Sequence, residues 1–190
     1  MKYIFFGLSF LFCLESVNAQ EVEGFKKGQF SIRSNLLSWV ILTPNIGIEY
    51  QINDRIGLLL DGSFSYWYFK NKSKDHYWRL WHFNPKIRSY LNKSRNAYVG
   101  LQFDLGEYNL SNQQEEFKGG GVAFGKQYYF SKNTLIDLGL TLGYLKLNDR
   151  KSYYEKEEIH YLRTDKPDKN YWGPTQVSIS LIRKLNNISR

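Results

Sequence analysis

Cysteine and methionine occur once each in these 190 residues, as Cys13 and Met1, and proline only four times. A lone thiol forms no internal disulfide and no multi-thiolate metal site. The longest run without a charged residue, Ser34 to Ile48, is fifteen residues long and is broken by Thr43-Pro44-Asn45. A spanning helix needs roughly 18 to 20 apolar residues, so none is available. No clean 3.6-residue period is sustained over ten residues, which excludes long amphipathic helices as the main building unit. What the chain does have is aromatic residues, at 17%, fifteen glycines and a formal charge of +8.

Residues 1–19 read as a secretory signal peptide: Lys2, an apolar run from Tyr3 to Leu14, and Val17-Asn18-Ala19 before the expected cut. Phe12 occupies the position where a lipoprotein signal needs a small residue, so Cys13 is not expected to carry a lipid. Residues 20–27 read as a flexible lead-in, and 28–190 as one domain. Removing the leader subtracts one Lys and one Glu, so the excess of base survives. In an exported chain that excess does not point to nucleic acid.

Polar turn clusters begin at Asn53, Asn92 and Ser131, each 39 residues from the last. Each interval holds two strands and one longer connection. Within the strands, Ile56, Leu58, Leu60, Phe64 and Tyr66 alternate with Gly57, Leu59, Asp61, Ser63 and Ser65. Ile136, Leu138, Leu140 and Leu142 alternate with Asp137, Gly139, Thr141 and Gly143. One face is aliphatic, and the other carries small residues and isolated charges. That pattern suits a barrel with its apolar face turned to lipid and a narrow polar interior. In lipid only a closed sheet pairs every backbone donor.

The fold class expected is therefore all-β, an eight-stranded antiparallel up-and-down transmembrane β-barrel of the bacterial outer membrane. Its strands are expected near 28–37, 45–52, 55–68, 77–91, 96–109, 118–130, 134–147 and 171–184. Tyr66, Tyr68, Trp78, Trp81, Tyr144 and Trp172 are assigned to an upper aromatic girdle, and Tyr50, Tyr90, Tyr128, Tyr129 and Phe130 to a lower one. The connections 69–76, 109–117 and 148–170 are read as outer loops. The apolar segment 38–45 either covers the mouth or lies in the interfacial zone.

The inward parity collects Arg33, Glu49, Asp61, Lys86, Arg88, Asp104 and Asp137. Unpaired charges in a tight interior are costly, so these seven should neutralise one another and plug the lumen. Catalysis would need a His with a nearby Ser and carboxylate. Ser73, Asp75 and His76 qualify only by proximity, inside a Lys-rich loop. No catalytic residue is assigned. No metal or cofactor is expected either, because only the solvated run Glu155, Glu157, Glu158, His160 has ligand-like spacing. The run Gly119 to Gly125 lacks the Lys-Ser/Thr end of a phosphate loop and is assigned to close strand packing. Tyr153, Tyr154, His160 and Tyr161 are the candidate partner surface, since exposed loops on a rigid scaffold carry contacts. Lys70, Lys72, Lys74, Arg79, Lys146, Arg150 and Lys151 are expected at the height of outer-leaflet phosphates.

Several motifs carry a resemblance: Arg33-Ser34-Asn35-Leu36-Leu37, Leu42-Thr43-Pro44-Asn45-Ile46-Gly47-Ile48-Glu49, Leu60-Asp61-Gly62, Tyr77-Trp78-Arg79, Lys86-Ile87-Arg88, Tyr98-Val99-Gly100-Leu101 and Trp172-Gly173-Pro174-Thr175 before Ser178-Ile179-Ser180-Leu181. With them the chain resembles a Bacteroidetes family of outer-membrane barrels known only as a domain of unknown function. The resemblance implies an OmpA-like eight-stranded barrel without a peptidoglycan-binding domain, in a family sometimes encoded near fimbrial assembly proteins. It implies no catalytic residue. Two features depart from the usual pattern: the chain ends in Asn187-Ile188-Ser189-Arg190 without an aromatic, and Pro85 and Pro174 fall within strands. The expected function is non-enzymatic: structural, or partner-binding through the outer loops, with outer-membrane lipid and cell-surface or fimbrial proteins as partners and no nucleic acid. The alternatives are an outer-membrane lipid-modifying enzyme and a soluble lipocalin-like barrel. No pattern fixes an oligomeric state.

Overall fold

The computed structural model describes residues 24–71, 74–91, 96–156 and 159–185. The predicted leader and residues 20–23 lie outside that range, as does the turn at 92–95. Among the described residues the strands are β1 (Phe30–Asn35), β2 (Asn45–Gln51), β3 (Ile56–Asn71), β4 (Lys74–Phe83), β5 (Lys86–Tyr90), β6 (Ala97–Leu110), β7 (Gln113–Tyr129), β8 (Thr134–Lys156), β9 (Ile159–Lys166) and β10 (Lys169–Lys184). A short helix, α1 (Leu36–Val40), links β1 to β2.

These ten segments make eight staves. β3 pairs β4 and then β5 without losing register, from Gly62 opposite Phe83 to Leu59 opposite Lys86, so β4 and β5 are one strand interrupted at Asn84-Pro85. β8 likewise pairs β9 and then β10, keeping its register across their junction from Arg150 opposite Lys166 to Leu147 opposite Lys169. Every pairing is antiparallel between neighbours, and β10 closes on β1 from Ser31 opposite Lys184 to Asn35 opposite Ser180. The result is a closed up-and-down barrel, with no edge along the paired length of its wall. Pro174 is absorbed by a register shift between Pro174 and Gln176, the usual way a strand accommodates a residue without a ladder donor.

The expected outer loops are largely strand. Pairing continues to Asn71 opposite Lys74, to Leu110 opposite Gln113 and to Lys156 opposite Ile159. The strand ends placed at 68, 109 and 147 and the starts at 77, 118 and 171 were therefore set too close to the barrel. Above the rim the ladder needs no apolar face, so the two-residue hydrophobic signal fades while the backbone bonds continue. Tyr108 opposite Glu115 and Asn109 opposite Gln114 are such pairs.

Glycines let the wall close. Gly121 and Gly143 are register partners across β7 and β8. A Cβ on either would come within 2.8 Å of the other's Cα. The obstruction is backbone and cannot rotate away. Gly143→Ala should cost about 1–3 kcal/mol, read as a lower urea midpoint of the detergent-folded protein. An unchanged midpoint would mean the two strands separate freely there.

The lead-in is not free of the barrel. Phe25 is buried in an apolar cluster with Tyr90, Tyr98, Leu135 and Ile182, at the end carrying the short turns, and Tyr129 packs against it. The Lys184 ammonium lies 4.9 Å from the Phe25 ring centroid and 4.8 Å from that of Tyr129. That end of the lumen is sealed by side chains.

Candidate functional site

The polar interior is the candidate site, and the alternation of the strands builds it. Inward positions on β2 and β5 are buried at every second residue, as Asn45, Gly47, Glu49, Gln51 and as Lys86, Arg88, Tyr90. Six of the seven predicted charges meet there. Arg88 Nη1 donates to Asp137 Oδ2 at 2.8 Å and lies 3.5 Å from Glu49 Oε2. Arg33 stands among three carboxylates, 3.3 Å from Asp137, 3.8 Å from Glu49 and 3.9 Å from Asp61. Lys86 approaches Asp61 at 4.0 Å and donates to Gln176 Oε1 at 2.6 Å.

Neutral groups complete the network. Tyr98 donates to Asp137 Oδ1 at 2.9 Å, and Tyr90 to Glu49 Oε1 at 2.6 Å. Gln127 Nε2 reaches both the Tyr90 hydroxyl and Asp137 Oδ2 at 3.3 Å, and Gln51 Nε2 reaches Glu49 Oε1 at 3.1 Å. The Arg88 guanidinium also stacks on Tyr98, 4.1 Å from its centroid. Asp137, at the middle of this set, is fully buried and neutralised by two guanidiniums. The pairing is dense but incomplete: Arg33 Nε and both its Nη atoms, Arg88 Nε and Glu49 Oε2 are buried without a hydrogen-bond partner, so Arg33 is held by charge proximity alone.

Asp104 departs from the expectation. It belongs to a separate cluster nearer the mouth, where His82 Nε2 lies 2.8 Å and Gln102 Nε2 2.6 Å from its Oδ1, and Thr141 donates to Gln102 Oε1 at 2.8 Å. His82 was not among the inward residues read from the sequence. Its even number, shared with Lys86 and Arg88 on the same stave, was the available signal that it points inward.

Of the predicted upper girdle, Tyr66, Tyr68, Trp81 and Trp172 stand exposed on the outward parity, with Tyr144 and Trp172 in ring contact at 4.8 Å. Trp78 does not belong there. It shares the inward parity with His82, and its Nε1 donates to Thr43 Oγ1 at 3.2 Å. Tyr90 and Tyr129 likewise leave the lower girdle for the inner seal, while Tyr50, Tyr128 and Phe130 remain outside, joined by Phe30.

The 38–45 segment completes the wall where β1 and β2 stop short. Asn35 caps α1, accepting from Leu37 N–H at 3.2 Å and from Ile179 N–H at 3.1 Å. The helix packs against β10. On the other flank, Trp67 Nε1 donates to Leu42 O at 2.6 Å, and Trp67 and Trp78 are register partners. Trp39, Val40, Ile41 and Leu42 stay exposed. Trp67→Phe should cost about 1 kcal/mol and speed amide exchange at Leu42 and Thr43. Unaltered exchange there would mean the indole does not hold the segment.

At the tips, Tyr153 is half-buried and donates to Gln114 Oε1 at 3.2 Å, so it ties β8 to its neighbour. The side chains of Tyr154, His160 and Tyr161 lie outside the described residues; their backbones pair in the β8–β9 hairpin. Of the Ser73, Asp75 and His76 trio, only the His76 side chain is described. It lies 3.4 Å from Ser111 Oγ, a hydroxyl that also accepts from Tyr77 N–H at 3.1 Å. Among the described residues no cluster of His, Cys, Asp and Glu could hold a metal ion.

A family model described as "Protein of unknown function (DUF3575)" matches residues 5–185. The chain belongs to that family. No curated protein matches it.

Proposed function

We propose that this DUF3575-family chain is a non-enzymatic barrel of the bacterial outer membrane that conducts nothing and serves as a rigid platform for its protruding hairpins. The observation that carries the reading is the outer wall. Ile32 on β1, Ile48 on β2, Leu58, Leu60 and Phe64 on β3, Ile87 on β5, Leu101 and Phe103 on β6, Val122 and Phe124 on β7, Leu138, Leu140 and Leu142 on β8, and Val177, Ile179 and Leu181 on β10 are all exposed. Among the described outward positions, Lys126 and Arg183 stand at the lower margin of this belt, opposite Leu138 and Ile32, and no Asp, Glu, Lys or Arg lies between them and the upper girdle. An uncharged band on every stave far exceeds the few hundred Å² of contiguous apolar surface a soluble monomer shows. It is of the kind that faces a hydrocarbon layer about 25 Å deep.

A lipocalin-type barrel requires the opposite arrangement, an apolar interior and a charged exterior. Here charged side chains are buried inside and the aliphatic rows are outside. A lipid-modifying enzyme retains one supporting observation, the His76–Ser111 contact between the β3–β4 and β6–β7 hairpins; a mass shift of lipid A on expression would favour it over the platform reading. The platform reading takes its partners from the cell surface, fimbrial proteins among them, and assigns contact to the β3–β4, β6–β7 and β8–β9 hairpins. It predicts membrane fractionation and a heat-modifiable gel band for the detergent-folded protein. A soluble fraction with a single heat-insensitive band would end it.

A further inference from the structure

Three cations stand on the outer wall within or just above the upper girdle, and among the described residues two of them have no acid of their own. Arg79 faces outward on β4, between the rings of Tyr66 and Tyr77, with its guanidinium carbon 4.5 Å and 4.6 Å from their centroids. Tyr66 is its register partner. The acid on the adjoining strand, Glu107, instead accepts from Trp81 Nε1 at 3.4 Å and from Gln114 Nε2 at 3.0 Å. Among the described residues Arg79 is in no ion pair, and its Nε is buried without a hydrogen-bond partner.

Further round the wall, Lys118 and Lys146 are direct register partners across β7 and β8. Both take the outward parity, immediately above the Tyr144–Trp172 contact. Like charges opposite one another on a sheet repel unless an anion lies between them. Lys146 is 3.1 Å from Asp168, a pair of which both members are substantially exposed; Lys118 is in no ion pair among the described residues. The other expected bases are spent or undescribed. Arg150 is 3.1 Å from Glu115 and Lys151 is 2.7 Å from Asp149, Lys72 lies outside the described residues, and so do the side chains of Lys70 and Lys74.

We propose that Arg79, Lys118 and Lys146 form a phosphate-binding band for the headgroups of anionic lipids in the surrounding leaflet. The inference rests on the membrane reading above and adds the ligand. A guanidinium seated against two rings is a fixed cation with an array of N–H donors, the chemistry that phosphate oxygens accept from. The phenol and indole edges below fix the height at which a headgroup meets it. Lipid phosphate supplies the anion that the Lys118–Lys146 pairing needs.

The test uses the full chain folded into phosphatidylcholine vesicles containing a minor fraction of phosphatidylglycerol. Bromine is placed on the acyl chains of one lipid or the other, and tryptophan quenching reports which lipid adjoins the outer wall, where Trp39, Trp81 and Trp172 are exposed. The expected result is an enrichment of phosphatidylglycerol of about fivefold, the effect of a single well-placed cation near an anionic surface. In a triple Arg79→Gln, Lys118→Gln, Lys146→Gln variant that keeps its heat-modifiable band, the enrichment should fall to near one. Lys151→Gln, whose cation is already paired, should leave it unchanged. Equal quenching by both lipids in the wild type, or an equal loss on Lys151→Gln, overturns the proposal while leaving the membrane reading intact. Loss of the enrichment on adding inorganic phosphate at constant ionic strength would assign the band to free phosphate and overturn the lipid assignment. Quenching by neither lipid would remove the membrane reading, and this proposal with it.

Discussion

Asp137→Ala is expected to lower the unfolding free energy of the barrel by about 3–5 kcal/mol, the cost of leaving buried charges without their partner. The carboxylate accepts from Arg88 and Tyr98 and stands 3.3 Å from Arg33, all inside the lumen. Its removal leaves two guanidiniums sharing Glu49 and Asp61. A urea titration of the detergent-folded protein measures the loss as a fall in midpoint at constant slope. The companion variant matters as much. Replacing Arg33, Arg88, Glu49 and Asp137 together by apolar residues of similar volume should recover most of that loss, because a buried ionic cluster is seldom more stable than well-packed hydrocarbon. Recovery of the fold, with no growth in conductance, is what a structural plug predicts. If Asp137→Ala proved neutral, the cluster would have to be hydrated and open.

The second large effect concerns the other face of the same strand. Leu140 points outward in the middle of the uncharged belt, between Leu138 and Leu142. Leu140→Lys should cost about 2–4 kcal/mol if that position lies near the centre of a bilayer. The same substitution on a water-exposed sheet face would stay within about half a kcal/mol. Measured in vesicles by urea unfolding, a penalty near zero would take hydrocarbon away from this face, whatever the fold.

How much of this was legible in the chain depends on which force sets each feature. The parity of the strands was readable because burial of charge and exposure of aliphatic rows both follow the two-residue period, and Arg33, Glu49, Asp61, Lys86, Arg88, Asp104 and Asp137 are all buried on the face assigned to them. The hairpins were not readable. Above the rim, Glu115, Tyr108, Gln114 and Asn109 are held by backbone bonds, and side-chain polarity says nothing about a ladder standing in water.

Trp78 was misplaced because Tyr77 and Trp78 are adjacent aromatics, and composition alone does not say which of two neighbours faces out. The count from Lys86 back through Asn84 and His82 would have. Phe25 was missed because one apolar residue in a polar segment has no period; it acquires meaning only from the cavity formed by Tyr90, Tyr98, Leu135 and Ile182. The helix Leu36–Val40 arises from a local cap at Asn35 and from the shortness of β1 and β2, neither of which leaves a periodic trace. Lys118 was passed over for a related reason, since its importance lies in its partner across the ladder, Lys146, 28 positions further along the chain.

The most direct measurement is the environment of single cysteines carrying a fluorescent label, in a Cys13→Ser background, with the protein reconstituted in vesicles containing nitroxide-labelled lipid. Labels at Leu58, Leu140 and Ile179 should be strongly quenched from the lipid phase, and labels at Gln102 and Thr141 should not. Quenching of the second set and not the first would place the aliphatic rows at a dry centre and contradict the account.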